Sequence, residues 1–459
     1  MAATLPSRVT SELDRLAGAD NALAIGFSGG GDSLALLRIA VDWARRRDRS
    51  LLALIVDHGL RPDSADEARL AASRAQALGV EADILTWTSS APTAGLQAAA
   101  REARHRLLAE ACRQRQIRTL ALAHTADDQA ETVWMRVASG GGWRGAAGMR
   151  EANASPLWPD GRGVTLIRPC LHETRAALRD WLTAAGACWI DDPSNDNPAF
   201  ARIRIRKLLE RLQRGGFQPA RLTRWAAGLR ALDEVEARAA GRLAETCLAL
   251  HPWGGASLDP SVFPTASRTL RWRLLDAIIC AVSGARDVPR PAVDRLLDAI
   301  EAGERATGGG ALVDHWRDRV WLVRDPGAIL GRVDRPGEGY PETAGLIDGR
   351  FMATRLPDTP PTPLGETYPE LDRALFTDVP PTARPTLLAF RRDGHILALA
   401  GLVRHSGLEC RSLIDERFVH RLFADWSPAW FDVSRLMRTQ DQIAVRVTRK
   451  PDPECPYDG

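Results

Sequence analysis

The first two hundred residues alternate short apolar runs with segments of helical periodicity. The apolar runs predict β-strands at Ala22–Phe27, Leu51–Asp57, Ala82–Trp87, Thr119–His124 and Thr165–Arg168. The periodic segments predict helices at Ser33–Arg47, Ser64–Leu78, Leu96–Arg115, Thr125–Ala138 and Glu173–Ala185. Strands that alternate with helices are typical of an α/β fold with a doubly wound, Rossmann-like parallel sheet. In such a sheet, ligands bind beyond the carboxyl ends of the strands, so the residues that follow each strand are the candidates for function.

Two changes in pattern divide the rest of the chain. From about residue 216 the sequence is mainly helical, with two strand-like runs at Ala311–Val313 and Val320–Val323. After Asp325, Pro and Gly become frequent and short strand-like runs return, which predicts a small mixed α/β domain. The predicted domains are therefore 1–215 for the parallel sheet, 216–328 for a helical domain and 329–459 for the small C-terminal domain.

Composition excludes several classes of protein. The chain has 459 residues with 61 Lys+Arg and 58 Asp+Glu, but lysine occurs only at Lys207 and Lys450. Neither lysine follows a glycine loop, which argues against a Walker-type phosphate loop, and neither fits a pyridoxal enzyme. The seven cysteines form no C-x-x-C pair and are expected to be reduced thiols. The sequence shows no signal peptide or membrane span, so we expect a cytoplasmic protein without membrane contact.

A glycine loop follows the first predicted strand and opens a helix. It reads Ser28-Gly29-Gly30-Gly31-Asp32-Ser33. Backbone N–H groups, the positive end of the helix dipole and two hydroxyls can together cradle an anion in such a loop. The alternative is a glycine turn whose Asp32 or Ser33 caps the helix.

Polar residues also follow the other strands. Val56-Asp57-His58-Gly59-Leu60-Arg61 ends the second strand, and His124 ends the fourth. In the helix after His124, Asp127 or Asp128 and Glu131 share a face, which suits Mg²⁺ or an ammonium group. An acidic helix cap is the alternative for Asp127 and Asp128. The helix that begins at Leu96 carries Arg101 and Arg104 on one face, either as phosphate ligands or as solvated side chains.

A basic segment follows the predicted sheet domain. Residues 196–230 contain nine Arg or Lys and two acidic residues, Asp196 and Glu210, which gives a net charge of +7. Such a patch is typical of polyanion binding, although a solvated helix face is the usual explanation for a charge run. The segment Arg202-Ile203-Arg204-Ile205-Arg206-Lys207 is its most basic part.

These motifs, in this order, resemble the tRNA(Ile)-lysidine synthetase branch of the N-type ATP pyrophosphatases. The likeness lies in the S-G-G-x-D-S loop, V-D-H-G-L-R, the D-D-Q-A-E-T run and R-x-R-I-R. It implies ATP and Mg²⁺ as cofactors, and the CAU-anticodon isoleucine tRNA and free L-lysine as substrates. On this resemblance, ATP adenylates the C2 oxygen of the wobble cytidine and lysine then displaces AMP. The oligomeric state stays open, with a homodimer among the alternatives.

The resemblance also implies roles for particular residues. The expected ATP-binding residues are Ser28, Gly29, Gly30, Gly31, Asp32, Ser33, His58, Arg101 and Arg104. The candidates for catalysis are Asp32, Asp57, His124, Asp128 and Glu131, and Asp128 is the candidate Mg²⁺ ligand. The expected tRNA-binding residues are Arg61, Arg202, Arg204, Arg206 and Lys207, and the domain after residue 329 is expected to contact the acceptor stem.

Three other functions remain as alternatives. A tRNA-thiolating enzyme of the same superfamily commonly uses cysteine pairs, which this chain lacks. A non-catalytic RNA-binding module could use the loop only to sense ATP. Ligases that resemble NAD or GMP synthetases share the loop but lack the basic segment and the Val56–Arg61 motif.

Overall fold

The protein was analysed as a computed structural model that describes most of the chain. The described residues are 4–60, 63–88, 95–190, 201–332, 335–336, 345–353, 361–365, 371–392, 395–403, 408, 410–426 and 428–438. They form two compact units, one that ends at Glu236 and one that starts at Ala237. The predicted division at residues 215 and 328 stays a prediction.

The described residues of the first unit form helices and strands that largely alternate along the chain. Its helices are α1 Leu5–Leu16, α2 Gly31–Arg45, α3 Ser64–Ala77, α4 Leu96–Gln114, α5 Ala126–Ala138, α6 Gly142–Ala146, α7 Arg175–Ala184 and α8 Ala201–Arg214. A ninth helix, α9 Pro219–Cys247, begins in this unit. The strands are β1 Ala22–Gly26, β2 Ser50–Asp57, β3 Glu81–Thr86, β4 Thr119–Leu122, β5 Ala152–Ala154 and β6 Thr165–Ile167.

The six strands form one sheet in the order β3-β2-β1-β4-β6-β5. All neighbours are parallel except β5, which pairs antiparallel with β6. The predicted doubly wound α/β fold is therefore confirmed, and every predicted strand and helix of this unit ends within two residues of its predicted limits. Helix α1, the short helix α6 and the short strand β5 were not predicted. The strand order reverses between β1 and β4, the place where ligands bind in such sheets.

Both faces of the sheet are covered by apolar helix faces. Val9 and Leu13 of α1 lie one turn apart and pack with α2 and α7 on one face. Leu108 and Cys112 of α4 pack on the other face, against β4 and β6. The indole of Trp43 in α2 is buried and donates its N–H to Asp14 Oδ1 at 2.9 Å. These contacts fix the strand ends from which the functional residues project.

The second unit is built around an antiparallel sheet. Its helices are α10 Arg268–Ser283, α11 Arg290–Ala302, α12 Pro326–Ile329 and α13 Ile414–Phe423. Its strands are β7 Leu248–Leu250, β8 Ala256–Leu258, β9 Ala306–Gly308, β10 Ala311–Trp316, β11 Arg319–Arg324, β12 Gly331–Arg332, β13 Arg335–Pro336, β14 Leu346–Ile347, β15 Phe351–Ala353, β16 Thr362–Pro363, β17 Leu388–Arg392, β18 His395–Leu399 and β19 Cys410–Ser412.

Five of these strands form one sheet in the order β7-β8-β11-β10-β9, with α10 and α13 packed in the same core. The two strand-like runs predicted at residues 311–313 and 320–323 lie within β10 and β11. The segment expected to be mainly helical therefore also carries an antiparallel sheet. Strands β7, β8 and β9 have three residues each, too few to show an alternating pattern in the sequence.

Across the part of the chain that the structure describes, no helix combines the length and the apolar character that crossing a bilayer requires.

Candidate nucleotide and substrate site

The glycine loop lies at the carboxyl end of β1, where α2 begins. Gly29 has a φ of +77°, and a Cβ on it would lie 2.7 Å from Ile190 Cδ1, so only glycine fits there. The Oγ atoms of Ser28 and Ser33 lie 3.2 Å apart, and Ser33 Oγ donates to Gly30 O at 2.9 Å. No side chain caps the N-terminus of α2. The loop therefore leaves N–H groups at the positive end of the helix dipole for an anion.

A cavity of about 480 Å³ lies beside this loop. Phe27, just after β1, and the apolar residues at the end of β2 form one wall, and polar groups come from Ser28, Asp57, His58, Glu67 and Arg104. Burial, with the nearby Arg104 charge, lowers the pKa of His58, so its imidazole is neutral at neutral pH. A cavity that joins an apolar wall to an anion-binding loop suits a nucleotide.

Three more residues were predicted to act in this region, Asp57, Arg61 and Arg101. Asp57 Oδ1 accepts the N–H of Gly59 at 2.9 Å, which fixes the turn after β2. Arg101 does not line the cavity, although Arg104 on the same helix does. Arg61 lies outside the described residues. The roles assigned to Asp57, Arg61 and Arg101 stay predictions.

Asp32, in the first turn of α2, has one free carboxylate oxygen. Its Oδ2 accepts from Arg175 Nε at 3.1 Å, whereas Oδ1 is buried without a hydrogen-bond partner. Burial raises the pKa of this carboxyl above its ordinary value, although the Arg175 charge opposes the shift. A buried carboxylate oxygen without a partner is an available ligand for a hard cation.

Asp128 forms a capping box with Thr125 at the start of α5. Its Oδ2 accepts the Thr125 N–H and hydroxyl at 2.8 Å each, and the Asp128 N–H donates to Thr125 Oγ1 at 3.3 Å. Its Oδ1 accepts from Arg175 and Arg202 at 2.9 Å each. Burial opposes ionisation, but the two arginines outweigh it and lower the pKa of Asp128. Both oxygens are therefore occupied, and the helix-cap interpretation accounts for one of them.

Glu131, one turn later in α5, is the centre of an ion-pair network. Its side chain is 1% exposed and lies 2.6 Å from Arg202 Nε, 2.7 Å from Arg206 Nε and 3.7 Å from Arg175. With Asp32 and Asp128, three carboxylates face three guanidinium groups. The cluster formed by Asp32, Asp128, Glu131, Arg175, Arg202 and Arg206 is called the ion-pair cluster below, and its formal charge is zero.

Helix α8 has one face packed against Glu131 and one face exposed to solvent. Arg202 and Arg206 are four residues apart and both contact Glu131, while Arg204 and Lys207 are exposed. The basic run predicted to bind tRNA thus divides between the ion-pair cluster and the surface. Direct tRNA contact by each of the four residues stays a prediction.

His124 lies just after β4 and directly before Thr125, the N-cap of α5. Its Nδ1 is buried without a hydrogen-bond partner. Burial, together with Arg168 and other arginines, keeps the pKa of His124 well below its ordinary value, although Asp128 opposes this. The imidazole is therefore neutral near pH 7 and is a weaker base than an exposed histidine.

Arg175 is the main residue of this site that the candidate set did not contain. Its guanidinium contacts both Asp32 of α2 and Asp128 of α5, and its backbone N–H donates to Asp127 Oδ2 at 2.8 Å. The sequence signal was available, because Arg175 begins the helix after β6 and thus lies near the carboxyl edge of the sheet.

The segment that includes α6 is held by side chains of α5. Arg136 donates to Gly148 O at 2.7 Å, and the Gln129 amide makes two hydrogen bonds to the Met149 backbone. Gly148 has a φ of +71°, and a Cβ on it would lie 2.8 Å from Gln129 Oε1. The glycine-rich sequence here therefore forms a fixed turn.

We expect Gly148→Ala to lower the free energy of unfolding by about 1–3 kcal/mol, because the new Cβ is strained and displaces Gln129. Urea denaturation would measure the change. Gly163→Ala is a suitable control, since Gly163 also has a positive φ but its Cβ would meet no atom within 4 Å. Equal losses in the two variants would show that the contact with Gln129 contributes nothing.

Comparison with known proteins assigns the chain to a family. A PP-loop domain family matches residues 5–212. The tRNA(Ile)-lysidine synthase of Caulobacter vibrioides is 37% identical over 413 residues, which cover 86% of this chain and 92% of that protein. The chain belongs to the tRNA(Ile)-lysidine synthase family.

Two further members support the same assignment. The tRNA(Ile)-lysidine synthase of Hyphomonas neptunium is 50% identical over 190 residues, which cover 41% of this chain and 51% of that protein. The tRNA(Ile)-lysidine synthase of Ruegeria pomeroyi is 38% identical over 312 residues, with coverage of 67% and 72%. The predicted resemblance to the tRNA(Ile)-lysidine synthetases is thus confirmed.

Proposed function

We propose that this protein ligates free L-lysine to C2 of the wobble cytidine in the CAU-anticodon isoleucine tRNA. The reaction consumes ATP, passes through an adenylated cytidine and yields lysidine, AMP and pyrophosphate. The observation that carries the proposal is the juxtaposition, in a chain of this family, of the Ser28–Ser33 loop with the ion-pair cluster through Asp32. One sheet edge thereby offers an anion cradle, a free carboxylate oxygen and a set of carboxylates for an amine.

The adenylation half-reaction needs a bound and neutralised pyrophosphate. The uncapped start of α2 and the Ser28 and Ser33 hydroxyls supply donors for that leaving group, and the adjacent cavity takes the nucleoside. Arg104 lines this cavity and adds a positive charge. The C2 oxygen of cytidine, a weak nucleophile, then attacks the α-phosphorus and pyrophosphate leaves.

The free Oδ1 of Asp32 fits a Mg²⁺ ion that accompanies ATP. When bound, the ion would neutralise charge on the phosphates. Asp128 was the predicted ligand, but its two oxygens already accept hydrogen bonds from the helix cap and from arginines. We therefore propose Asp32 as the residue that holds the metal.

The second half-reaction needs a neutral amine. Lysine has an ordinary pKa near 10.4, so its ammonium must lose a proton before it attacks. Asp128 and Glu131 can bind the cationic substrate, and we propose that its proton passes to one of the candidate bases of the site, Asp57, His124, Asp128 or Glu131. The amine then attacks C2, the bond from C2 to the adenylated oxygen breaks, and AMP leaves.

The tRNA would approach the exposed face of α8. Arg204 and Lys207 are exposed and can contact backbone phosphates. We expect the protein to act in the cytoplasm, where tRNA and ATP are available.

The direct test is to incubate the protein with ATP, Mg²⁺, radiolabelled lysine and unmodified isoleucine tRNA, and then to analyse the wobble nucleoside. We expect label on that nucleoside only when ATP is present, with one pyrophosphate released per lysine joined. Methionine tRNA, which has the same anticodon, is the matched control.

Two outcomes would contradict the proposal. Pyrophosphate release without label would indicate an adenylating enzyme that uses another nucleophile, such as sulfide. Binding of ATP and tRNA without any pyrophosphate release would indicate a non-catalytic RNA-binding protein.

A further inference from the structure

The arginines at the carboxyl edge of the sheet fall into two groups. Arg175, Arg202 and Arg206 belong to the ion-pair cluster. The second group consists of Arg101, Arg104, Arg136 and Arg168. Among the residues that the structure describes, none of these four forms an ion pair with a carboxylate.

Arg168 is the most buried of this second group. It follows β6 directly, next to β4 in the sheet, and is 7% exposed. One terminal nitrogen donates to Arg150 O at 2.7 Å and to Asn153 Oδ1 at 2.6 Å, whereas Nε is buried without an acceptor. A buried guanidinium whose acceptors are all neutral and whose Nε is buried without an acceptor is costly, unless an anion completes its environment.

Arg101 reaches the same edge from α4. A helix that connects parallel strands runs back against them, so the first turns of α4 lie near the carboxyl ends. Leu108, seven residues after Arg101 and on the same face, packs against β4 and β6 in the core. Arg101 is exposed, and it lies outside the lining of the nucleotide cavity.

Arg136 completes the group from α5. It is exposed, and it donates hydrogen bonds to the carbonyls of Gly145 and Gly148, just before the Arg150 carbonyl that Arg168 contacts. Burial, and then the charges of Arg101 and Arg136, lower the pKa of Arg168 to about 10. The positive charges therefore lie close together without a counter-charge among the described groups.

We propose that Arg101, Arg136 and Arg168 form a second anion subsite, outside the nucleotide cavity, which binds a backbone phosphodiester of the RNA substrate next to the target cytidine. The proposal rests on the proposed function, because it assumes an RNA substrate. ATP phosphates have their own cradle at the Ser28–Ser33 loop. Guanidinium groups suit a phosphodiester, because their paired N–H donors match two phosphate oxygens. A phosphate held here would position the cytidine in front of the loop.

Arg101→Gln tests the subsite with little risk to folding, because Arg101 is exposed. Arg106→Gln is the matched control on the same helix, since Arg106 is neutralised by Glu102 and Asp160. Binding of unmodified isoleucine tRNA is measured over a range of salt concentrations, and binding of ATP is measured separately. We expect Arg101→Gln to weaken tRNA binding about tenfold and to reduce the slope of log K against log salt by about one. ATP binding and the control variant should be unchanged.

The outcomes separate this proposal from the proposed function. If Arg101→Gln leaves the tRNA affinity and the salt slope unchanged, the subsite is overturned. The proposed function would still stand, provided that the wild-type protein forms lysidine. Weaker ATP binding with unchanged tRNA binding would also overturn it, because the anion would then be a nucleotide phosphate. Absence of specific tRNA binding by the wild-type protein would instead contradict the proposed function.

Arg101→Lys provides a second variant. It keeps the charge but loses the paired donors of the guanidinium. We expect it to restore most of the salt slope and only part of the affinity. Full recovery of affinity would show that charge alone matters and would overturn the phosphodiester geometry.

Discussion

Replacing Asp32 by Asn is expected to reduce pyrophosphate release by about a thousandfold, with tRNA binding nearly unchanged. The asparagine oxygen can still accept the hydrogen bond from Arg175 Nε, so the local structure should persist. What disappears is the negative charge at the buried oxygen that we assign to Mg²⁺. Loss of one preorganised electrostatic contact to a leaving group typically costs about 10²–10³ in rate, and loss of metal binding adds to that. Single-turnover release of pyrophosphate would measure the effect.

A control on the same helix makes this result specific. Asp42 lies in α2 on the exposed side, with only a weak contact of 3.9 Å to Arg45. Asp42→Asn should therefore leave pyrophosphate release unchanged. Turnover of Asp32→Asn within a few fold of wild type, at saturating Mg²⁺ and ATP, would refute the role of Asp32 in holding the metal.

The parallel-sheet unit was predictable because its central strands, β1, β2 and β4, are largely buried. Continuous apolar runs such as Leu51–Asp57 stand out between helices whose periodicity is clear. Helix α1 was missed, although Thr4 caps it and Pro6 lies in its first turn. Its two buried residues, Val9 and Leu13, give a weaker pattern than a helix covered on several sides. The three-residue strands of the second unit are too short for their sequence to show an alternation of apolar and polar residues.

The sequence could predict those residues of the candidate site that follow directly after parallel strands, because the fold of the backbone alone brings them together. Parallel strands bring Ser28, Asp57, His124 and Arg168 to one edge, whatever their side chains do. The partners of the charged side chains were not predictable. Arg202 and Arg206 belong to a strongly basic run, which favours a surface role, but their four-residue spacing turns both toward Glu131. Local charge density does not show which helix face is packed.

The partners of Asp128 could not be predicted from the sequence either. Its type and position fit a metal ligand, a substrate ligand and a helix cap equally well in the sequence. The structure shows the cap and two arginines at its oxygens, so the free oxygen belongs to Asp32 instead. Only the packing of α2, α5 and α7 distinguishes these carboxylates, because Arg175 contacts both.

Glu131→Gln is expected to affect both stability and lysine binding. Gln keeps the shape of the side chain but has one acceptor oxygen, and its amide would face a guanidinium that has lost its partner. Loss of a charged hydrogen bond at a buried site typically costs about 2–3 kcal/mol, and the partial exposure of Arg202 and Arg206 limits the cost. Urea denaturation of this variant should show that loss. Glu102→Gln, which removes an exposed ion pair with Arg106, should cost less than about 1 kcal/mol.

Kinetics separate a binding role of Glu131 from a purely structural one. If Glu131 binds the lysine ammonium, the variant should raise KM for lysine at least about tenfold, while KM for ATP changes little. A structural role alone would lower the amount of active protein and leave KM for lysine unchanged. An unchanged KM for lysine with reduced stability would show that Glu131 only joins α5 to α8. Asp128 would then be the carboxylate that binds the lysine ammonium. Because Arg202 contacts both carboxylates, the two residues are expected to act as one unit, and a double variant should cost less than the sum of the single losses.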